Sequence, residues 1–485
     1  MLLLALVFGA VYLLVAITRT VYPYDLDFIE DGLVMQSLRV TSGQPIYLPP
    51  GAEFVPHPYM PLYFWIGGWL LSVLGPGYVP LRLLSLGATL ATAILIGQIA
   101  RRESDSGWIG VACAGLYLGG YRISGFWYDL VRVDSLFVLL VLCGLACGVY
   151  AGRSRRRLLL SALGLALAFW TKQTGVVFGI GLALYLMLTL GRPAWFFLAA
   201  FGALTALPFA LLNAATDGWL AYYVIFIQSL NPIEMSRVVH YVFAELFGSM
   251  AGLSLTAVGV LLLSVRRAGG RALREQPWLM GLGLAILVSG MGRASTGGNL
   301  NNLMPAYALL CLAPALLARG WCAAGSARRG AEGCKALIAT AVVIQFGLGA
   351  YNPLRPVPPT ALWQSGRRLI ERIASIDGEV LVLMHPYYAV LAGKSPSSQI
   401  ATLWYAREHG TRPFPDDFVA RIRTRYYAAI ISDESEFFEL DPTLTALIEA
   451  TYVRSESLSE ADAPSSMTGV VVRPRVMYVP KTDHK

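Results

Sequence analysis

Apolar runs of membrane-spanning or near-spanning length recur along most of the chain. They lie at residues 2–18, 78–100, 107–124, 135–151, 158–171, 174–190, 194–213, 239–265, 277–291, 303–319 and 336–350. Several are shorter than the ~20 residues of a full crossing, but together they predict an α-helical polytopic membrane protein with about eleven transmembrane helices. A further apolar stretch at 61–75, bounded by Pro61 and Gly75-Pro76-Gly77, predicts an in-plane or re-entrant helix belonging to the first loop. From Tyr351 the pattern changes. Asn352-Pro353 and Arg355-Pro356-Val357-Pro358-Pro359 form a stiff linker. Beyond it, helices are expected at 361–375, 416–426 and 442–450, and strands at 379–384, 428–433, 469–473 and 476–480. The expected layout is a transmembrane domain over 1–350 with its first outer loop at 20–77, a Pro-rich linker at 351–360, and a small C-terminal α/β domain over 361–485.

Composition agrees: 56% of residues are hydrophobic and 14% charged, against about a quarter charged in soluble domains. The net charge of +8 would suit a nucleic-acid partner, but its distribution excludes one. Arg101-Arg102, Arg153 with Arg155–Arg157, Arg192, Arg266-Arg267-Arg271-Arg274 and Arg328-Arg329-Lys335 fall in every second loop. That asymmetry marks cytoplasmic loops of an inner (plasma) membrane protein. It puts the N-terminus inside and the C-terminal domain outside, with Arg19 as the one exception. Residues 2–18 lack a basic flank and a cleavage site, so they are expected to stay as a helix. The six cysteines lie in or beside apolar runs, which implies no disulfide framework.

The chemistry concentrates in residues 22–63. Asp25, Asp27, Glu30 and Asp31 fall between two apolar segments, and carboxylates against a membrane are costly unless solvated, paired or used. A solvated acidic loop is the plain reading; an active-site loop is the sharper one. A short interfacial helix follows, stopped by Gly43 and Pro45, and then a Pro-rich loop ending in His57-Pro58-Tyr59-Met60-Pro61-Leu62-Tyr63. Three further groups are expected on the same side. In Tyr128–Asp134, Asp129 and Arg132 are spaced for an ion pair, and Asp134 opens an apolar span. Lys172 and Gln173 interrupt a long uncharged stretch, where a lysine usually marks a partner or a substrate anion. Gly297–Asn302 is a polar loop offering Asn299 and Asn302. Carboxylates suit general-base work on a hydroxyl, while lysine and arginine suit phosphate. A lipid with an anionic head would fit such a site.

Glu30-Asp31 opening a loop helix, the Gly43-Gln44-Pro45-Ile46-Tyr47 turn and the His57–Tyr63 run together resemble the GT-C glycosyltransferases. The branch is the glycosyltransferase family 39-like one that includes protein mannosyltransferases and lipid A aminoarabinose transferases. Arg132–Ser135 and Thr171–Gly175 also look like segments of its bacterial members, and the resemblance covers most of residues 1–320. It implies sugar transfer from a polyprenyl-phosphate donor to a lipid, glycan or protein acceptor on the extracytoplasmic face. It makes Glu30 the first candidate base, then Asp31, with Asp27 third, and it matches Asp134 to a second acid. His57, Tyr59, Asp129, Arg132, Asp134, Lys172, Gln173, Asn299 and Asn302 are the candidate substrate-binding residues. No cofactor is required; a divalent cation is compatible with the acidic cluster, although no ligand spacing demands one. A secondary transporter or lipid flippase is the alternative, favoured by Lys172 alone. A membrane scaffold would explain the C-terminal domain but not the acids.

Overall fold

The computed structural model describes residues 1–322, 328–433 and 441–482; the side chains of 322–331 are also outside the description, and with them the predicted basic pair Arg328-Arg329. Helix forms in each of the eleven predicted runs. The first nine helices are α1 (Leu2–Thr20), α2 (Ile29–Thr41), α3 (Leu62–Leu74), α4 (Tyr78–Ser104), α5 (Gly107–Gly119), α6 (Asp134–Val149), α7 (Arg155–Thr171), α8 (Gly175–Leu190) and α9 (Pro193–Ala215). Ala251–Ala268, Trp278–Ala294, Met304–Leu310 with Ala313–Cys322, and Arg328–Gly349 complete the bundle. Six of the described helices are long and apolar enough to cross a membrane. Apolar side chains such as Leu3, Leu14, Trp69, Ile94, Leu188 and Leu211 remain exposed on the outside of the bundle, as lipid-facing positions do. Within it, small residues let helices approach. A Cβ on Gly164 of α7 would stand 2.9 Å from Gly144 Cα of α6, so these two backbones touch where a larger residue would part them. The expected loop at 214–238 differs: it holds a short apolar helix, Trp219–Ser229, too short to register as a span.

The C-terminal region carries a four-stranded sheet of β1 (Glu379–Val382), β2 (Tyr427–Asp433), β3 (Tyr452–Ser457) and β4 (Pro474–Pro480), in the order β1-β2-β4-β3. β1 and β2 pair in parallel and the other neighbours are antiparallel. Helices Thr360–Ser375, Asp416–Arg423 and Pro442–Thr451 stand where expected. The strand expected at 469–473 is instead a turn around Gly469, at φ +73°, and β3 occupies the mostly polar 452–457, where no apolar alternation announced it. Two helices, Pro386–Leu391 and Ile400–Ala406, were not foreseen. This region shares its core with the first loop. Leu381, Leu383, Tyr387 and Ile430 pack in one cluster with Leu33, Val34, Tyr63 and Tyr78. Backbone bonds join the two as well: the Met467 and Thr468 N–H groups donate to Leu26 O at 2.9 and 2.8 Å, and Ser398 N–H donates to Ala52 O at 2.9 Å.

Candidate active site

The four clustered acids Asp25, Asp27, Glu30 and Asp31 are all buried, so each must be accounted for by its partners. Glu30, at the start of α2, is fully occupied. Arg82 of α4 grips both its oxygens at 3.0 and 2.6 Å, and the N–H groups of Leu26 and Val131 donate to them at 2.7 Å each. The rest of the Arg82 guanidinium donates to the carbonyls of Arg19, Tyr22 and Tyr24. This is a closed structural clamp that fixes the end of α1 against α4. Asp31 accepts from the Tyr78 hydroxyl at 2.5 Å and from Tyr387 N–H at 3.1 Å. Burial, with Asp25 nearby, raises its pKa well above the carboxylate range.

Asp27 differs from both. One oxygen pairs with Arg132 Nη1 at 3.2 Å, while Oδ1 is buried and has no hydrogen-bond partner among the described residues. Burial, reinforced by Glu30 and Asp25 and opposed by Arg132 and by the Ile29 backbone N–H, pushes this carboxyl up to about 7. An uncommitted oxygen on a carboxyl titrating near neutrality is what a general base needs.

Arg132 leads from Asp27 to the other predicted groups. Its guanidinium carbon lies 4.5 Å from the Trp127 ring centroid and 5.7 Å from that of Tyr59, and its Nε lacks a hydrogen-bond partner. Asp134 Oδ2 stands 3.9 Å from that Nε and accepts from Asn301 Nδ2 at 3.0 Å. Its other oxygen accepts from Lys172 Nζ at 2.8 Å, and Lys172 also donates to Asn302 Oδ1 at 3.2 Å. Gln173 donates to Pro58 O at 3.5 Å and leaves its own Oε1 buried and unbonded. Asn299 caps the next turn by accepting from Leu300 N–H at 2.8 Å. The sequence-distant groups therefore converge on one end of the bundle, where Arg132 links Asp27 to Asp134 and, through Asp134, to Lys172.

Asp129 is not part of this chain. It pairs with Arg19 at 2.7 Å and accepts from the Tyr121 hydroxyl at 2.7 Å, so the Asp129–Arg132 pair suggested by spacing does not form. The same contact explains the exceptional Arg19. It is fully buried, and it also donates to the carbonyls of Pro356 and Phe126 and to Thr468 Oγ1. It is a packing hub and not a topology signal. His57 is buried against Gly32, and Thr402 Oγ1 lies 3.3 Å from its Nε2. Burial, with Arg132 nearby, holds it neutral by lowering its pKa to about 3.

Sequence reasoning missed the part played by the C-terminal region. His385 is buried between Asp25 (3.2 Å) and Asp433 (3.0 Å), and the Tyr388 hydroxyl donates to Asp25. Burial would depress the imidazole, but the two carboxylates hold its pKa well above the usual value. Burial would raise Asp25; His385 and the hydrogen bonds instead hold it below the usual range. The Gly469 turn lies over Asp27: a Cβ there would stand 3.0 Å from Trp127, 3.3 Å from Asp27 Oδ1 and 3.5 Å from Asn299 Nδ2. None of these contacts has a local signature. Arg82 did have one, as a lone arginine in an apolar run. Among the described residues no three His, Cys, Asp or Glu side chains are grouped to hold a metal ion.

Residues 56–213 match the family model described as dolichyl-phosphate-mannose-protein mannosyltransferase. The chain superposes on ArnT from Cupriavidus metallidurans in the apo state with a TM-score of 0.62 at 16% identity, covering 98% of this chain and 97% of that one. For ArnT bound to undecaprenyl phosphate the TM-score is 0.60 at 14% identity, over 99% and 98%. The archaeal oligosaccharyltransferase AglB from Archaeoglobus fulgidus, in complex with an inhibitory peptide and a dolichol-phosphate, gives 0.50 at 10% identity, over 89% and 69%. No curated protein matches the chain. The chain is thus similar to ArnT in fold along its whole length, and residues 56–213 carry the signature of the mannosyltransferase family model.

Proposed function

We propose that the protein transfers a sugar from a polyprenyl-phosphate donor to an acceptor hydroxyl on the extracytoplasmic face, with Asp27 as general base. The observation that carries this reading is the free Oδ1 of Asp27 one residue away from the Arg132–Asp134–Lys172 chain. The acceptor oxygen attacks the anomeric carbon, and its proton passes to Asp27. The bond from that carbon to the phosphate oxygen breaks, and the lipid phosphate leaves with the electron pair. Arg132 and Lys172 stabilise the charge that grows on it, in a site from which water is largely excluded. A lipid tail held in the bilayer presents the head at a fixed depth. One such displacement inverts the anomeric centre. The Gly469 turn must give way to admit the acceptor, because it covers Asp27. No cofactor enters this reading. The side of the membrane rests on the basic clusters, which stand at the opposite helix ends from Asp27.

The test is donor turnover by the full-length protein in lipid vesicles, with a panel of radiolabelled polyprenyl-phosphate sugars and the variants Arg132→Met and Lys172→Met. At least a tenfold loss of donor turnover is expected in each. Unchanged donor use in both would overturn the phosphate assignment.

A further inference from the structure

A polar cavity lies at the end of the bundle opposite the candidate active site. Positions 82 and 102 are both on α4, and twenty residues at ~1.5 Å each put them roughly 30 Å apart, about one hydrocarbon thickness. Around Arg102 the ends of α4 and α6, Tyr185 of α8, the 274–277 connection and Arg319 line an open cavity of about 400 Å³. Three arginines (102, 274 and 319) line it against two glutamates. Glu103 is consumed. It is buried, pairs with Arg319, and accepts from the Tyr150 hydroxyl at 2.6 Å and Trp278 Nε1 at 3.3 Å. The other glutamate, Glu275, is exposed.

Arg102 and Arg274 have no carboxylate partner among the described residues. The Arg102 guanidinium lies 3.7 Å from the Tyr150 ring centroid, and a stacked guanidinium keeps its in-plane N–H donors free for an anion. Arg274 donates to Leu188 O at 2.6 Å, on a helix whose Leu184 and Leu188 side chains are exposed on the lipid-facing surface. The cavity therefore joins two cations without a carboxylate partner to a rim that faces acyl chains.

We propose that this cavity binds the phosphate headgroup of an anionic glycerophospholipid of the cytoplasmic leaflet, with Arg102 and Arg274 as its ligands. A basic pocket between helices at headgroup depth is suited to that chemistry. It is a site apart from the donor site, and it does not depend on the transfer reaction.

The test uses the full-length protein in a neutral detergent, given phosphatidylglycerol, phosphatidylcholine or inorganic phosphate. Lipid retention is read by native mass spectrometry and thermal stability by unfolding midpoint. Phosphatidylglycerol should be retained and raise the midpoint; the other two should not. Arg102→Gln with Arg274→Gln should weaken retention at least tenfold. Arg102→Gln alone, where no hydrogen bond is lost, should weaken it measurably in a folded protein. Arg192→Gln, an arginine outside the cavity, should leave it unchanged. Equal retention by the double variant, or equal effects of phosphatidylcholine, would overturn the proposal. A midpoint rise with inorganic phosphate matching that with phosphatidylglycerol would overturn the lipid assignment in favour of a free-anion site.

Discussion

Asp27 and Glu30 are three residues apart, both buried, and opposite in circumstance. Glu30 is saturated by Arg82 and two backbone N–H groups. Glu30→Gln should therefore act on stability, because breaking a buried pair costs about 3–5 kcal/mol; a lowered unfolding midpoint is the expected readout. Asp27→Asn should act on chemistry, with turnover falling by about 10²–10⁴. The base works ionised, and its carboxyl titrates near 7, so kcat/KM should rise with pH through about 7 and then level off. The same shift has a stability consequence. The folded carboxyl holds a proton that the unfolded one, near 3.9, has lost, so stability falls as pH rises between those values. Asp27→Asn escapes that loss. Midpoints at pH 5 and pH 8 should show the variant gaining on the wild type at the higher pH.

At the level of elements, the first loop and the C-terminal region form one unit. The His385 pairs to Asp25 and Asp433 clamp Pro386–Leu391 against the acidic loop. Because the folded imidazole is held above its usual pKa, its contribution is complete below about 6.5 and is lost as pH rises through the folded value. Hydrogen exchange over residues 386–406 should accelerate above that value in the wild type, and His385→Asn should show fast exchange already at pH 6. At this level the sequence was legible unevenly. Strong apolar periodicity announced the bundle, and the acids, Arg132 and Lys172 stood out because charge near a membrane is costly. What no local pattern carried was the pairing of partners far apart in the chain: Arg19 with Asp129, Arg82 with Glu30, His385 with Asp25. Spacing suggested Asp129 with Arg132, and the fold chose otherwise because Tyr121 and Arg19 already enclose Asp129. The resemblance alone favours Glu30 as the base, whereas the proposal of Asp27 rests on partners that no local pattern carries.

For the whole molecule, the basic clusters and the acidic site lie at opposite ends of the helices, and the orientation proposed from them predicts a labelling pattern. In a cysteine-free background, Glu460→Cys should react with an impermeant thiol reagent in intact cells, whereas Asp105→Cys should react only after permeabilisation; the reverse would invert the topology. The central claim is that a buried carboxylate at Asp27, with one oxygen free, drives sugar transfer from a lipid phosphate. Its most direct test is one transfer assay in vesicles with a polyprenyl-phosphate sugar that the wild type consumes, run on Asp27→Asn and Glu30→Gln after both are shown to be folded. Loss of transfer in Asp27→Asn with donor binding retained, and residual transfer in Glu30→Gln in proportion to its folded fraction, is the expected result. Full activity in Asp27→Asn would contradict the claim.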